Sequence, residues 1–343
     1  MAYSNKPFII PVFIPHAGCP QQCVFCNQSS ITGVDSRRPK ISVSDPVESF
    51  LKYKSERQNF VQIAFFGGNF LGIQAGEIKR LLAEATEFVK AGRVSSIRFS
   101  TRPDTVDDHR LNLIKEFPVA TIELGVQSMD DRVLSATKRG HTASDTEKAF
   151  QRLKELNYEI GAQIMVGLPG DTPARLLAST RRVVLLKPDF IRIYPTVVLA
   201  DSPLAVWYRK GDYVPLSLEE AVTQVKELYR IFKKKNIRVI RMGLQASEDL
   251  EKEATILAGP YHPAFGHLVY SQIFLDKAMS AIRSANPTKD SVILRVHPQS
   301  VSNMRGLKNG NIKKLREKFH LQTIEVVPDD TLDEDQVKVS ACI

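Results

Sequence analysis

The chain is poor in cysteine. Four occur in 343 residues, and three of them, Cys19, Cys23 and Cys26, fall within eight positions, with Cys342 alone near the end. Structural disulfides spread their cysteines over loops, so this placement excludes a disulfide framework. Clustered thiolates in a reducing compartment point to a metal instead. Long apolar runs are also missing. No window reaches the ~18 to 20 uncharged apolar residues that a membrane span needs. The apolar opening from Phe8 to Ile14 is broken by Pro11 and followed by Pro15. It is too short for the core of a secretory signal and reads as a strand. A cytoplasmic protein with no membrane partner is expected. Low-complexity linkers and internal repeats are absent as well, which excludes tethered and solenoid architectures.

What is present is ordinary globular composition, 43% hydrophobic and 25% charged, in a length that permits one large α/β domain and a smaller one. Apolar strand candidates run over 8–14, 61–66, 96–99, 120–126, 160–166 and 190–194. Helical spacing follows at 74–89, 130–136, 144–156 and 174–186. Alternation of this kind predicts parallel strands joined by right-handed crossovers. Continuous apolar strands predict that both faces are covered. Six such units suit an open doubly wound sheet or a barrel. The stretch from 196 to 270 is less regular, with a helix expected over 218–234 and a short strand over 238–240. Segments rich in functional residue types, 19–26, 67–69, 100–104, 127–128 and 167–170, each come just after a strand. In both architectures ligands bind at the carboxyl ends of the strands, so these segments point to one rim.

Cys19-Pro-Gln-Gln-Cys23-Val-Phe-Cys26 has the spacing Cys-x3-Cys-x2-Cys. Electron-transfer clusters usually take four cysteines. Three thiolates leave one iron of a [4Fe–4S] cluster open to an outside ligand, and S-adenosylmethionine (SAM) is able to chelate it through its amino and carboxylate groups. One electron passed into the sulfonium then yields a 5′-deoxyadenosyl radical. The chemistry is the cofactor's, and the protein supplies position and shielding. The residues leave open a zinc site with His16 as fourth ligand.

The cysteine spacing, with Phe25 before the last cysteine, resembles the radical SAM signature. Its context, Pro15-His-Ala-Gly-Cys19 and Phe25-Cys-Asn-Gln28, resembles the branch that contains the catalytic subunit of Elongator, which modifies wobble uridine in tRNA. The resemblance covers about 8 to 270. It implies a partial (β/α)6 TIM-like barrel, a [4Fe–4S] cluster on Cys19, Cys23 and Cys26, bound SAM, and an electron donor such as flavodoxin or ferredoxin. Gly67-Gly68-Asn69 looks like the glycine-rich segment that binds the SAM amino group, with Asn69 where an acidic residue is usual. Glu123-Leu-Gly-Val-Gln127 resembles the motif whose glutamine bonds the SAM ribose. Arg139 matches the arginine that pairs with the SAM carboxylate, a task suited to its planar fork. Gln163 stands where relatives place a polar residue near the ribose, and Ser100 where they often place an acid. The family's acetyltransferase domain is expected to be absent, since about 70 residues remain after Tyr270.

Candidates for the substrate are Arg192 and Tyr194, which share a strand face, then Arg241 and His262. Arg102, Asp104, Tyr261 and His267 are further polar groups near the rim. The formal net charge is +9, and 281–320 carries nine bases against two acids, Asp290 and Glu317. A basic excess favours a polyanion such as RNA. The segment 288–343 reads as a small basic α/β unit beside a core of 1–270. Its Gly306-Leu-Lys-Asn309 resembles the Gly-x-x-Gly loop of KH nucleic-acid units, with Asn309 in place of the second glycine. The expected function is a radical SAM enzyme acting on an RNA (tRNA) nucleoside. A radical SAM enzyme for a small metabolite, and a non-catalytic RNA-binding protein with a structural cluster or zinc, remain as alternatives.

Overall fold

In the computed structural model, the described residues are 7–14, 18–20, 22–27, 41–55, 58–245, 248–252, 255–287 and 290–341. His16, Gln28, Lys289 and Cys342 lie outside them. Seven parallel strands form one sheet in sequence order: β1 (Phe8–Phe13), β2 (Val61–Phe66), β3 (Ser96–Thr101), β4 (Val119–Gln127), β5 (Glu159–Val166), β6 (Phe190–Pro195) and, past a small ribbon strand β7 (Val198–Leu199), β8 (Arg238–Met242). The first and last strands do not pair, so the sheet curls into a partial barrel. The sequence predicts six strands in the series and a short one over 238–240. That short strand is the seventh member, hydrogen-bonded to β6. Its alternating exposure, typical of an edge, hides it from a search for continuous apolar runs.

The crossovers are α1 (Ser44–Leu51), α2 (Ala75–Lys90), α3 (Asp108–Ile114), α4 (Asp131–Ala136) with α5 (Ala143–Glu155), α6 (Pro173–Leu185), and α7 (Pro203–Lys210) with α8 (Leu218–Lys234). Their apolar stripes cover the outer face of the sheet, where Ile63, Phe65, Ile97, Phe99, Ile122, Leu124, Ile164 and Ile193 are buried in one core. Alternation along each strand leaves the opposite residues facing inward. These are polar: Gln62, Arg98, Glu123, Gln163 and Arg192. Two boxes cap the ends of long helices, Thr142 with Asp145 on α5 and Ser217 with Glu220 on α8.

A single turn, α9 (Glu248–Glu251), and β9 (Ile256–Ala258), antiparallel to β7, lead to the long helix α10 (Phe265–Ala285). Val269 and Ile273 of α10 pack on the barrel core, while Phe274, Leu275, Ala278 and Ile282 belong to a second core. A helix shared between two cores is apolar around its circumference, so it lacks the one-sided stripe of a surface helix. The second core is completed by β10 (Ser291–Val296), α11 (Val301–Arg305), α12 (Gly310–Phe319), β11 (Thr323–Pro328) and β12 (Val337–Ala341), in sheet order β11-β10-β12. Asn309 has φ 59° and Lys308 φ 50°, so the α11–α12 turn uses left-handed residues that asparagine tolerates well. No helix among the described residues is long and apolar enough to cross a membrane.

Candidate active site

The cysteine loop leaves the carboxyl end of β1 and is held from two sides. Val24 N–H donates to the Thr137 carbonyl at the end of α4 (3.1 Å), and the Val24 carbonyl accepts from Leu204 N–H at the start of α7 (2.8 Å). The Val24 side chain is buried with Val198, Leu204, Ala205 and Tyr213. Asn27 Nδ2 adds a bond to the Ala200 carbonyl at 2.7 Å. Cys23 is buried, whereas Cys19 and Cys26 are partly exposed. Burial pushes the Cys19 thiol pKa up, against the pull of the Arg139 and Arg102 charges. Among the described residues no three His, Cys, Asp or Glu side chains gather around a single-ion site.

On the other side the loop is tied by Asn69. This residue is fully buried. Its Nδ2 donates to the Gly18 carbonyl (2.8 Å), and its Oδ1 accepts from Thr101 Oγ1 (2.7 Å), Arg102 N–H (3.0 Å) and Thr105 Oγ1 (2.9 Å). The Asn69 side chain therefore joins the cysteine loop to the end of β3. Gly18 (φ 73°) and Gly72 make this approach possible. A Cβ on Gly18 would lie 2.2 Å from the Asn69 carbonyl oxygen, and one on Gly72 2.2 Å from the Gly18 carbonyl oxygen. Nothing local marks Gly18 and Gly72 as partners, because they meet only in the fold.

Gln127 and Arg139 come together over Gly125. A bulge between β4 and β5 after Gly125 gives Gln127 a left-handed φ of 63°. Arg139 Nη2 donates to the Gly125 carbonyl (2.7 Å), and Nη1 reaches Cys23 Sγ (3.4 Å). Glycine at 125 lets both side chains approach, since a Cβ there would sit 2.6 Å from Arg139 Nη2 and 3.1 Å from Gln127 Nε2 and the side-chain ends would have to shift. Arg102 is 2% exposed and grips Asp104 with Nε (2.9 Å) and Nη2 (2.8 Å). Its charge also acts on Cys23 and Cys19. His141 is buried beside these arginines. Burial, then the Arg139 charge, lowers its pKa to about 3, so the ring is neutral. This histidine has no role in the sequence reading, although it follows directly after Arg139-Gly140. Several buried polar atoms here lack a hydrogen-bond partner: Gln127 Oε1, Arg139 Nε, Arg102 Nη1 and both ring nitrogens of His141. Buried polar groups are normally paired, so such a cluster marks a place for a polar ligand.

One layer deeper, inside the barrel, Glu123 is fully buried between two arginines. Arg98 Nη2 donates to Oε1 (2.6 Å), while Arg192 donates through Nε to Oε2 (2.7 Å) and through Nη2 to Oε1 (3.2 Å). Gln163 Nε2 bonds Glu123 Oε2 (3.0 Å) and Ser100 Oγ (3.1 Å). Burial opposes ionisation of Glu123, yet Arg192 and Arg98 together hold its carboxyl below the usual glutamate range. Arg192 and Gln163 are thus engaged in a lumen network with Glu123. Tyr194 lies next along β6, its pKa raised by burial against the pull of Arg192 and Arg241. Arg241 is opposite Arg192 in register and bonds Gln245. His262 is elsewhere, its Nδ1 accepting from Ala264 N–H (3.0 Å) in the turn before α10. Tyr261 donates to Glu251 Oε1 (2.8 Å), and His267 faces Ser302 Oγ (3.1 Å).

Residues 13–183 match the model of the radical SAM superfamily, and 188–274 match that of the radical SAM C-terminal domain. The chain belongs to the radical SAM superfamily. As a radical SAM enzyme it uses a [4Fe–4S] cluster and SAM. It is 27% identical to the uncharacterised protein MJ0486 of Methanocaldococcus jannaschii, over 65% of this chain and 71% of that one. It is 31% identical to the tRNA uridine(34) acetyltransferase of Dehalococcoides mccartyi, over 42% of this chain and 32% of that one. The radical SAM chain thus spans about a third of the acetyltransferase's length. The solved Elp3 of Methanocaldococcus infernus shares the fold at TM-score 0.62 and 20% identity, covering 78% of this chain and 62% of that structure. The unpaired rim atoms fit SAM chemically: an amide oxygen for ribose hydroxyls and guanidinium donors for a carboxylate.

Proposed function

We propose that this radical SAM enzyme acts on a nucleoside within RNA, with tRNA as the substrate class. Cys19, Cys23 and Cys26 hold the cluster. Gln127 Oε1 accepts from the ribose of SAM, and Arg139 donates to its carboxylate, aided by the free Nη1 of Arg102. The Asn69 side chain is engaged in tying Gly18 to β3, so the approach to the SAM amino group falls to the backbone of Gly67 and Gly68. When bound, the cluster and SAM supply one-electron cleavage of a carbon–sulfur bond and hydrogen-atom abstraction, with the electron drawn from a flavodoxin or ferredoxin.

The chain's own part is to orient and to shield. The Glu123–Arg98–Arg192 network lies inside the barrel, and four hydrogen bonds to the Glu123 carboxylate fix these side chains relative to one another. Arg241 lies at the level of Arg192, with Tyr194 one inward position nearer the rim, and Arg241 and Tyr194 are the candidate contacts for a substrate group. The observation that carries the cofactor half is the set of buried, partnerless atoms on Gln127, Arg139 and Arg102. The RNA half is supported by the tRNA-acting names of relatives and by the basic excess of 281–320.

The test is anaerobic reconstitution followed by dithionite, SAM and bulk tRNA. Formation of 5′-deoxyadenosine should rise with tRNA, and mass spectrometry of the digested tRNA should reveal a changed nucleoside. Cluster-replete protein that forms no 5′-deoxyadenosine would reject radical catalysis in favour of a structural cluster. A second reading, a small anionic metabolite, is favoured by Arg241, whose bonded partner Gln245 is uncharged. Turnover of a free carboxylate without RNA would select it.

A further inference from the structure

The small C-terminal unit sorts its charges. Positions 301–320 contain six bases and one acid, Glu317, whereas 321–337 contain six acids and no base. One acid of that stretch, Asp335, reaches the long helices. Asp335 pairs with Lys233 of α8 and with Lys277 of α10 at 3.1 Å. Its charge is thus matched inside the chain.

The basic stretch has no such match. Arg305, Lys308, Lys313 and Lys314 are exposed, and none pairs with an acid among the described residues. The left-handed turn at Lys308 and Asn309 folds α11 back onto α12, bringing cations from both helix ends to one turn. Like charges held together repel, and no acid among the described residues pairs with these cations to offset that repulsion. A polyanion would.

The turn is also fixed in place. Asn311 Nδ2 donates to the Ser271 carbonyl of α10 (2.8 Å) and to the Asn303 carbonyl (3.2 Å), and Ser302 Oγ meets His267 Nε2 (3.1 Å). Between this unit and the barrel lies a cleft of about 370 Å³ lined by Arg241, Met242, Pro263, His267 and Asn303. Met242 ends β8 at the carboxyl rim, the same end of the barrel as the cysteine loop. Asn303 of α11, two residues before Arg305, and Met242 at the rim end of β8 therefore line one cleft.

We propose that the α11–α12 face from Arg305 to Lys314 binds the phosphate backbone of RNA and holds the substrate strand over the barrel mouth. This rests on the RNA reading above and assigns it a surface. The test compares three proteins for tRNA binding across a salt series. They are the wild type, a variant with Arg305→Gln, Lys308→Gln, Lys313→Gln and Lys314→Gln, and a control with Lys79→Gln, Lys115→Gln, Lys148→Gln and Lys154→Gln on exposed barrel positions. Both variants lose the same charge. The first should bind at least tenfold more weakly, with the slope of log affinity against log salt reduced by about 3. The control should stay near the wild type, and SAM cleavage without RNA should be the same in all three. Equal tRNA affinity of variant and control would overturn the proposed surface. Failure of the wild type itself to bind tRNA, while it still cleaves SAM, would instead reject the RNA reading.

Discussion

Arg139 Nη1 approaches Cys23 Sγ to 3.4 Å, joining residues 116 positions apart. The same guanidinium bonds the Gly125 carbonyl and keeps Nε without a partner. One arginine therefore touches a cysteine of the Cys-x3-Cys-x2-Cys loop and keeps a buried donor unpaired.

Arg139→Gln should weaken SAM binding by about 10- to 100-fold, the worth of a charge-assisted hydrogen bond of ~1.5 to 3 kcal/mol. Gly125→Ala should act in the same direction by another route, because its Cβ would collide with Arg139 Nη2. Anaerobic equilibrium dialysis of SAM against cluster-loaded protein measures both. SAM affinity unchanged in both variants would confine Arg139 to a structural role.

Removing the charge of Glu123 leaves Arg98 and Arg192 buried without a counter-ion. Glu123→Gln should therefore cost about 3 to 5 kcal/mol of stability, read from denaturant unfolding. The pH dependence has a definite sign. The folded pKa of Glu123 is lowered from 4.5, so its contribution is complete above about 4.5 and is lost as pH falls through the lower folded value. A Glu123→Gln protein should lack that part of the acid-side loss.

Asn69→Asp tests the tie across the cluster loop. The acid keeps an acceptor for Thr101, Arg102 and Thr105 but replaces the Nδ2 donor with an oxygen facing the Gly18 carbonyl. The loop should loosen at a cost of about 1 to 3 kcal/mol. Iron and sulfide per chain should fall after reconstitution, while far-ultraviolet circular dichroism stays unchanged. Full iron loading would show that the tie is dispensable.

Legibility followed the range of the interactions. Strands β1 to β6 were readable because each buries a continuous apolar face under helices. The edge strand β8 and the doubly buried helix α10 were harder, since an edge and a two-core helix both lack the usual periodic signature. Cys19, Cys23 and Cys26 were readable because the three thiolates lie in one short segment. Gln127 and Arg139 were picked out by resemblance, and the fold brings them together over Gly125. Arg192 and Gln163 drew notice as polar residues on inward positions, but their bonds to Glu123 depend on the register of β4, β5 and β6.

The sequence by itself determined the cysteine spacing, the order of strands and helices, and the excess of positive charge near the end, because these are properties of neighbours along the chain. The tertiary structure decided that Asn69 is a tie, that Glu123 unites two arginines, and that Asp335 pairs with Lys233 and Lys277 while Arg305, Lys308, Lys313 and Lys314 meet no acid among the described residues. Those outcomes depend on which groups meet across 25 to 102 positions, and a hydrogen bond or ion pair forms only when the packed strands and helices bring donor and acceptor within about 3 Å.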